Sequence, residues 1–335
     1  MNLGVPGSDV PIDASSALLF SEHAPLTPGP GTRDARAVWA TVPGGGWDGS
    51  VVVFFHGYDN YVTIDAGGES RVPDWVADDP TAAAGARAKR AAPLVYGLDA
   101  LSPKRAGPLV LVPEVASLAH GDFWATEPRG QYADPARMGA LIDDCRARLA
   151  CLIRPDGHVY LTAEQATCPP RRLRLCGHSG AGLPLVEAAS SHLALPDRGV
   201  PTDLWLLDCT YWSDTKNFVR FCRAWGEADG MDGAGPTASR FVCVYRRGTE
   251  TEEVADALRH EIAADRGFAP AALVRDHVGA GKSEDNFGAA IRPALTSAVL
   301  FVRTDLPHDE IPTYFIPRLL SASDDTTSSN TASAE

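Results

Sequence analysis

The chain lacks a basic surplus, a paired-cysteine motif, a long apolar run and an internal repeat, and each absence removes a class of function. Lys and Arg number 30 against 43 Asp and Glu, a formal charge of −13 at pH 7. Phosphate recognition rests on Lys/Arg neutralisation, so nucleic acid is not expected as a partner, and the acidic balance is read as serving solubility. The seven cysteines include no C-x-x-C pair and no metal-ligand spacing, so no metal is expected. Cys176, Cys209 and Cys243 sit in or at the end of apolar runs, where a thiol behaves as a small hydrophobe. One bridge among Cys145, Cys151 and Cys168 stays open. No apolar run approaches the roughly 18–20 residues of a membrane span, so no transmembrane segment is expected. The opening MNLGVPGSDVPIDASSALLF has no basic start and no long apolar core. It does not read as a signal peptide, which leaves a cytoplasmic protein or a secreted one whose signal has been removed. No repeat period is found.

What is present is the material of a large α/β core. Of 335 residues 44% are apolar and 22% charged, ordinary for a globular chain long enough to bury a sizeable interior. Near-continuous apolar runs predict strands at Ala37–Val42, Ser50–Phe55, Leu109–Pro113, Arg172–Cys176, Leu204–Leu207, Phe241–Tyr245 and Ala298–Val302. Such runs suit strands buried on both faces of a mostly parallel sheet. Between them, 3.6-residue periodicity predicts helices over Arg137–Leu152, Leu183–Leu195, Lys216–Trp225 and Glu252–Ala264. Strands alternating with helices imply an α/β, doubly wound sheet with helices on both faces and no large cap domain. Residues 1–34, rich in Pro, Gly and Ser, are expected to be irregular, residues 35–320 to form one domain, and the polar stretch 321–335 to be a disordered tail. A loop and short helix are expected over Asp65–Lys89, and an apolar closing helix from about Thr313.

Function in an open parallel sheet collects at the carboxyl ends of the strands, so the residue after each strand carries the search. After Arg172–Cys176 stands Gly177-His178-Ser179-Gly180-Ala181-Gly182. A serine on a tight strand-to-helix turn has a strained backbone and an exposed hydroxyl, and its neighbours two positions away must be small. The N–H of Gly180, at a helix start, would favour developing negative charge. A serine helix cap with glycine for packing is the plainer alternative. His56-Gly57-Tyr58 follows Ser50–Phe55, and Asp208 ends Leu204–Leu207. A carboxylate at the end of an apolar strand is costly to bury unless hydrogen-bonded, and a histidine N–H would supply that bond. Glu250, Glu252 and Glu253 are the rival carboxylates, and their place at a helix start explains them without catalysis.

Gly177-His178-Ser179-Gly180-Ala181 resembles the nucleophile elbow of the α/β-hydrolase superfamily, with Ala181 where the strict pattern has glycine and Gly182 one place later. The resemblance covers about residues 35–320. It implies Ser179 as nucleophile and His308, after the last strand, as base; the family's acid more often follows the next strand, though a place like that of Asp208 is also known, and Asp208 is preferred here to Glu250. His308 lies 100 residues beyond Asp208, in the loop where the family keeps its histidine. His277, beside Asp276, is the second choice of base, with a surface pair as its bland reading; His178 is read as packing. The resemblance further implies an oxyanion hole from the backbone N–H groups of Gly180 and Tyr58. Tyr58, Tyr61, Tyr211 and Trp212 are expected around the substrate, with Phe123 and Trp124 on one rim. The ending His308, Ile311-Pro312, Tyr314-Phe315, Leu319-Leu320 is similar to that of a bacterial branch of the superfamily. The implied activity is hydrolysis of a small-molecule or polymeric carboxylic ester through an acyl-enzyme, without cofactor or metal. An amidase, peptidase or acyltransferase on the same triad is the alternative, and a non-catalytic binding protein with the same fold comes third.

Overall fold

The computed structural model describes residues 9–24, 37–56, 106–113, 136–182, 185–186, 188–189, 200–210, 240–264, 273–277, 286–297 and 299–328. Its frame is a sheet of ten strands: β1 (Val10–Pro11), β2 (Ser16–Phe20), β3 (Ala37–Thr41), β4 (Trp47–Phe55), β5 (Gly107–Pro113), β6 (Arg172–His178), β7 (Thr202–Leu207), β8 (Phe241–Arg246), β9 (Leu273–His277) and β10 (Val299–Thr304). Their spatial order is β1-β2-β3-β5-β4-β6-β7-β8-β10-β9. Pairing is parallel from β5 through β9 and antiparallel among β1, β2, β3 and β5. Among the described residues four helices accompany it: α1 (Ala136–Cys151), α2 (Ala163–Thr167), α3 (Glu250–Ala264) and α4 (Glu310–Ser328).

The all-apolar strands are buried on both faces. Val51, Val53 and Phe55 of β4 pack into one core with α1, α3 and the helical residues Leu185, Val186, Ala188 and Ala189. The intervening Val52 and Phe54 pack into a second core with Ile311, Phe315, Ile316 and Leu319 of α4. Alternate side chains of one strand thus feed opposite layers, as a period of two requires. The class is α/β, doubly wound and mostly parallel, with helices on both faces. All seven expected strands are present, each extended by a residue or more or trimmed by one.

Two expectations need correction, and a question left open is answered. The first 34 residues are not all irregular, because Ser16–Phe20 forms a strand against β3. Its side chains alternate between the two cores, Ala17 and Leu19 into one and Leu18 into the other. The turn before it is closed by Asp13, whose carboxylate accepts from the N–H groups of Ser15 and Ser16, each at 2.7 Å. At the other end α4 starts at Glu310 and runs past Ser321 to Ser328. A helix already nucleated by an apolar face adds further turns at small cost per residue. Finally, Cys145, Cys151 and Cys168 are free thiols, the first buried and the others exposed, so none is bridged to another. The expected helix Leu183–Leu195 lies partly outside the described residues, and Lys216–Trp225, Asp65–Lys89 and the question of a cap domain lie wholly outside them. Among the described residues no helix is long and apolar enough to cross a membrane.

Strand order locates the place where a ligand would lie. From β4 the chain goes outward to β5 on one side, then returns to β6, β7 and β8 on the other. The winding direction reverses between β4 and β6, and the crevice at the carboxyl ends of two such strands is the favoured binding position of an open sheet.

Candidate active site

The registers Phe55↔Gly177, His178↔Leu207 and Leu207↔Val244 bring the ends of β4, β6, β7 and β8 to one rim. His56, buried, follows β4 directly. Ser179 follows β6 directly, on a single 3-10 turn over Ser179–Ala181, with φ of 57°. A non-glycine residue in the left-handed region is held there against its preference, which is the strain expected of a serine on a sharp strand-to-helix elbow. The small neighbours have separate reasons. A Cβ on Gly177 would come within 2.8 Å of Leu185 Cδ2, and one on Gly182 would overlap the backbone carbonyl oxygen of Cys209. The close approach that forbids a side chain therefore falls at Gly182, which leaves room for the methyl of Ala181, itself buried.

Asp208 is the other strained residue of this rim, with φ of 46° and no solvent exposure. Its N–H donates to Val244 at 2.7 Å, so the strand pairing continues into the turn. One carboxylate oxygen, Oδ1, accepts from the Thr251 hydroxyl at 2.6 Å and from the Arg246 N–H at 3.3 Å. Oδ2 accepts from Arg246 Nε and from His308 Nδ1, the latter at 2.6 Å. Burial alone would push this carboxyl up. The hydrogen bonds of His308 and Thr251 and the Arg246 charge outweigh it and hold Asp208 below the ordinary carboxylate value. An ionised Asp208 only accepts, so His308 carries its proton on Nδ1 toward Asp208 and leaves Nε2 as its basic nitrogen.

His308 follows β10 in a loop tied to the strand end by the Leu306 N–H, which donates to Thr304 Oγ1 at 3.2 Å. Its side chain is 24% exposed. Its ring centroid is 4.3 Å from that of His178, the residue before Ser179. His178 is 2% exposed, and its Nε2 lies 3.1 Å from the His308 carbonyl oxygen. Burial first, then the neighbouring His308, lower its pKa to about 3.

The alternatives are placed elsewhere. His277 is not a surface residue paired with Asp276, as its bland reading has it. It is buried at the end of β9, with Nδ1 2.9 Å from Thr304 Oγ1 and its ring against Tyr314 and Phe315. Packing of α4 across the sheet end covers it, while exposed Asp276 pairs with Arg303 at 2.7 Å. Glu252 accepts from the Gly248 N–H at 2.6 Å and pairs with Arg303 at 3.3 Å. It closes the start of α3, whose first turn also holds Glu250 and Glu253. Gly180 sits on the elbow turn. Tyr58, Tyr61, Phe123, Trp124, Tyr211 and Trp212 lie outside the described residues. Among the described residues no group of His, Cys, Asp and Glu is arranged to hold a metal.

Two contributors went unread in the sequence. Arg246 and Thr251 complete the shell of Asp208, yet they come from β8 and α3 and carry no local signal of that role. A threonine among glutamates at a helix start reads as a cap, whereas Thr251 is fully buried and turned onto the carboxylate.

No family model matches the chain, and no curated protein matches it in sequence. Solved structures do align along most of its length. Esterase B from Lactobacillus rhamnosis (HN001) is 10% identical, with 96% of this chain and 87% of that one covered and a TM-score of 0.41. A hormone-sensitive lipase from a metagenome library is 13% identical, with 96% and 88% covered and a TM-score of 0.36. The dienelactone hydrolase from Anabaena variabilis is 9% identical, with 91% and 94% covered and a TM-score of 0.33. These likenesses carry no assignment of activity, and the α/β class rests on the chain's own strand order and on the two cores that its sheet separates.

Proposed function

We propose that the chain is a serine hydrolase of the α/β-hydrolase superfamily, cleaving carboxylic esters through Ser179, His308 and Asp208. One observation carries this reading. Buried Asp208 meets His308 Nδ1 at 2.6 Å, and that histidine lies against His178, the residue before a serine of positive φ. A bare serine hydroxyl is a weak nucleophile at neutral pH and needs an adjacent base. His308 Nε2 takes the Ser179 Oγ proton as Oγ attacks the ester carbonyl. The Gly180 N–H binds the resulting oxyanion, with the Tyr58 N–H as second donor, and one such donor is worth about 3–4 kcal/mol in the transition state. The tetrahedral species collapses, the carbon–alkoxide bond breaks, and His308 protonates the departing alcohol. Water, deprotonated by the same histidine, then attacks the acyl-enzyme; the acid leaves and Ser179 regains its proton. Asp208 keeps His308 in the tautomer this sequence needs and stabilises the imidazolium. Tyr58, Tyr61, Tyr211 and Trp212 form the substrate wall in this reading, and the product is a small or polymeric acid.

A fluorophosphonate tests the proposal. Stoichiometric labelling mapped to Ser179 by mass spectrometry, and lost in Ser179→Ala, is expected. A native protein that is not labelled, or a Ser179→Ala protein labelled equally, overturns it.

A further inference from the structure

His178 does more than fill space. It is the last residue of β6 and the immediate neighbour of Ser179, yet its ring belongs geometrically to the opposite loop. Its Nε2 is 3.1 Å from the His308 carbonyl oxygen, and a carbonyl can only accept, so His178 donates there. The same carbonyl accepts from the Ile311 N–H at 3.3 Å, where the loop enters α4. The two imidazoles lie face to face, 4.3 Å between centroids and tilted by 31°. One side chain on the serine's strand therefore grips both the backbone and the ring of His308.

We infer that His178 is a positioning residue, fastening the His308 loop to the Ser179 elbow through its Nε2–H and its ring face; this rests on the serine-hydrolase reading above. A clamp of this kind must not titrate. A charged ring would repel the imidazolium that His308 becomes during turnover. Burial and the nearby His308 keep His178 neutral at working pH, with its pKa at about 3. A neutral imidazole has one N–H. With that proton committed to the carbonyl on Nε2, Nδ1 is left as an acceptor.

Gln and Met test the donor at similar side-chain length. His178→Gln keeps an N–H near the Nε2 position, and His178→Met removes it. The readouts are kcat and KM on p-nitrophenyl acetate, the fluorophosphonate labelling rate of Ser179, and thermal unfolding. Misplacing a base by a fraction of an ångström costs rate far more than binding. His178→Met is expected to lose roughly 10- to 100-fold in kcat and in labelling rate, with KM within about twofold, and His178→Gln to stay within about fivefold of native. Equal losses in Gln and Met, or a Met variant within about twofold of native, overturn the inference while labelling of the native protein leaves the hydrolase reading standing. A native protein that is never labelled removes both. Histidine-selective nitrogen NMR on the native protein gives an independent check that needs no variant. The His178 ring should stay in its neutral Nε2–H form from about pH 5 to pH 8, and a ring that titrates in that interval overturns the inference.

Discussion

Strand β7 has a buried aspartate at each end, and the two are used in opposite ways. Asp203, near the amino end, is 1% exposed and faces fixed charges. Its carboxylate meets Arg172 at 2.7 Å and Arg174 at 3.6 Å, and accepts from the Arg240 N–H at 3.0 Å. Asp208, just past the carboxyl end, is equally buried, but one of its partners is an imidazole that can gain and release a proton. The backbone differs as well: Asp203 lies within regular strand, while Asp208 is forced to positive φ. Burial of a carboxylate is thus no mark of function. What distinguishes the candidate acid is a titratable partner and a strained turn, both at the end of the sheet where the winding reverses.

The contrast can be broken from either side. The largest effect is expected from Asp208→Asn, roughly 10⁴-fold in kcat through loss of the His308 tautomer. Steady-state kinetics read this, and loss below about tenfold would mean that the acid is elsewhere. Asp203→Asn should do the reverse. Removing one member of a buried charge group leaves arginines uncompensated and costs about 3–5 kcal/mol of stability, while kcat per folded molecule stays near native. Urea unfolding followed beside activity separates the two. Acid titration sharpens the same comparison. Because the folded Asp208 pKa is depressed, its contribution to stability is present above the unfolded carboxylate value and lost as pH falls through the lower folded value. Asp208→Asn should therefore flatten the fall in unfolding temperature below the ordinary carboxylate range. A smaller loss, about tenfold in kcat, is expected for Thr251→Val, which removes one neutral donor from the carboxylate. Glu250→Gln should be indistinguishable from native in the same assay. A crippled Glu250→Gln beside a healthy Asp208→Asn would transfer the acid to the start of α3.

Much of this arrangement was readable before any coordinates. Strands such as Val51–Phe55 and Leu204–Leu207 announce themselves because burial on both faces demands unbroken apolar runs. Asp208 and Ser179 stand out by ending such runs. Unreadable parts share a different cause, since their roles are set by partners distant in sequence. Ser16–Phe20 becomes a strand only because Ala37–Thr41 lies beside it. Leu273–His277, with Arg275 and Asp276 in its middle, is among the described residues an edge strand that only β10 pairs, so its charges reach water and mask its period. Arg246 and Thr251 acquire meaning through Asp208, some 40 residues earlier. His277 reads as a surface residue because its neighbour Asp276 is charged, yet side chains of adjacent strand residues face opposite ways.

Gly182 pressed on the Cys209 carbonyl leaves no slack between the serine turn and the acid turn. Neither can drift without pushing its neighbour. Such a joint behaves as one rigid hub rather than two loops, so warming should disable the hub in the same cooperative step that melts the sheet, and attempts to retune the serine's position by enlarging residue 182 will displace the carboxylate with it.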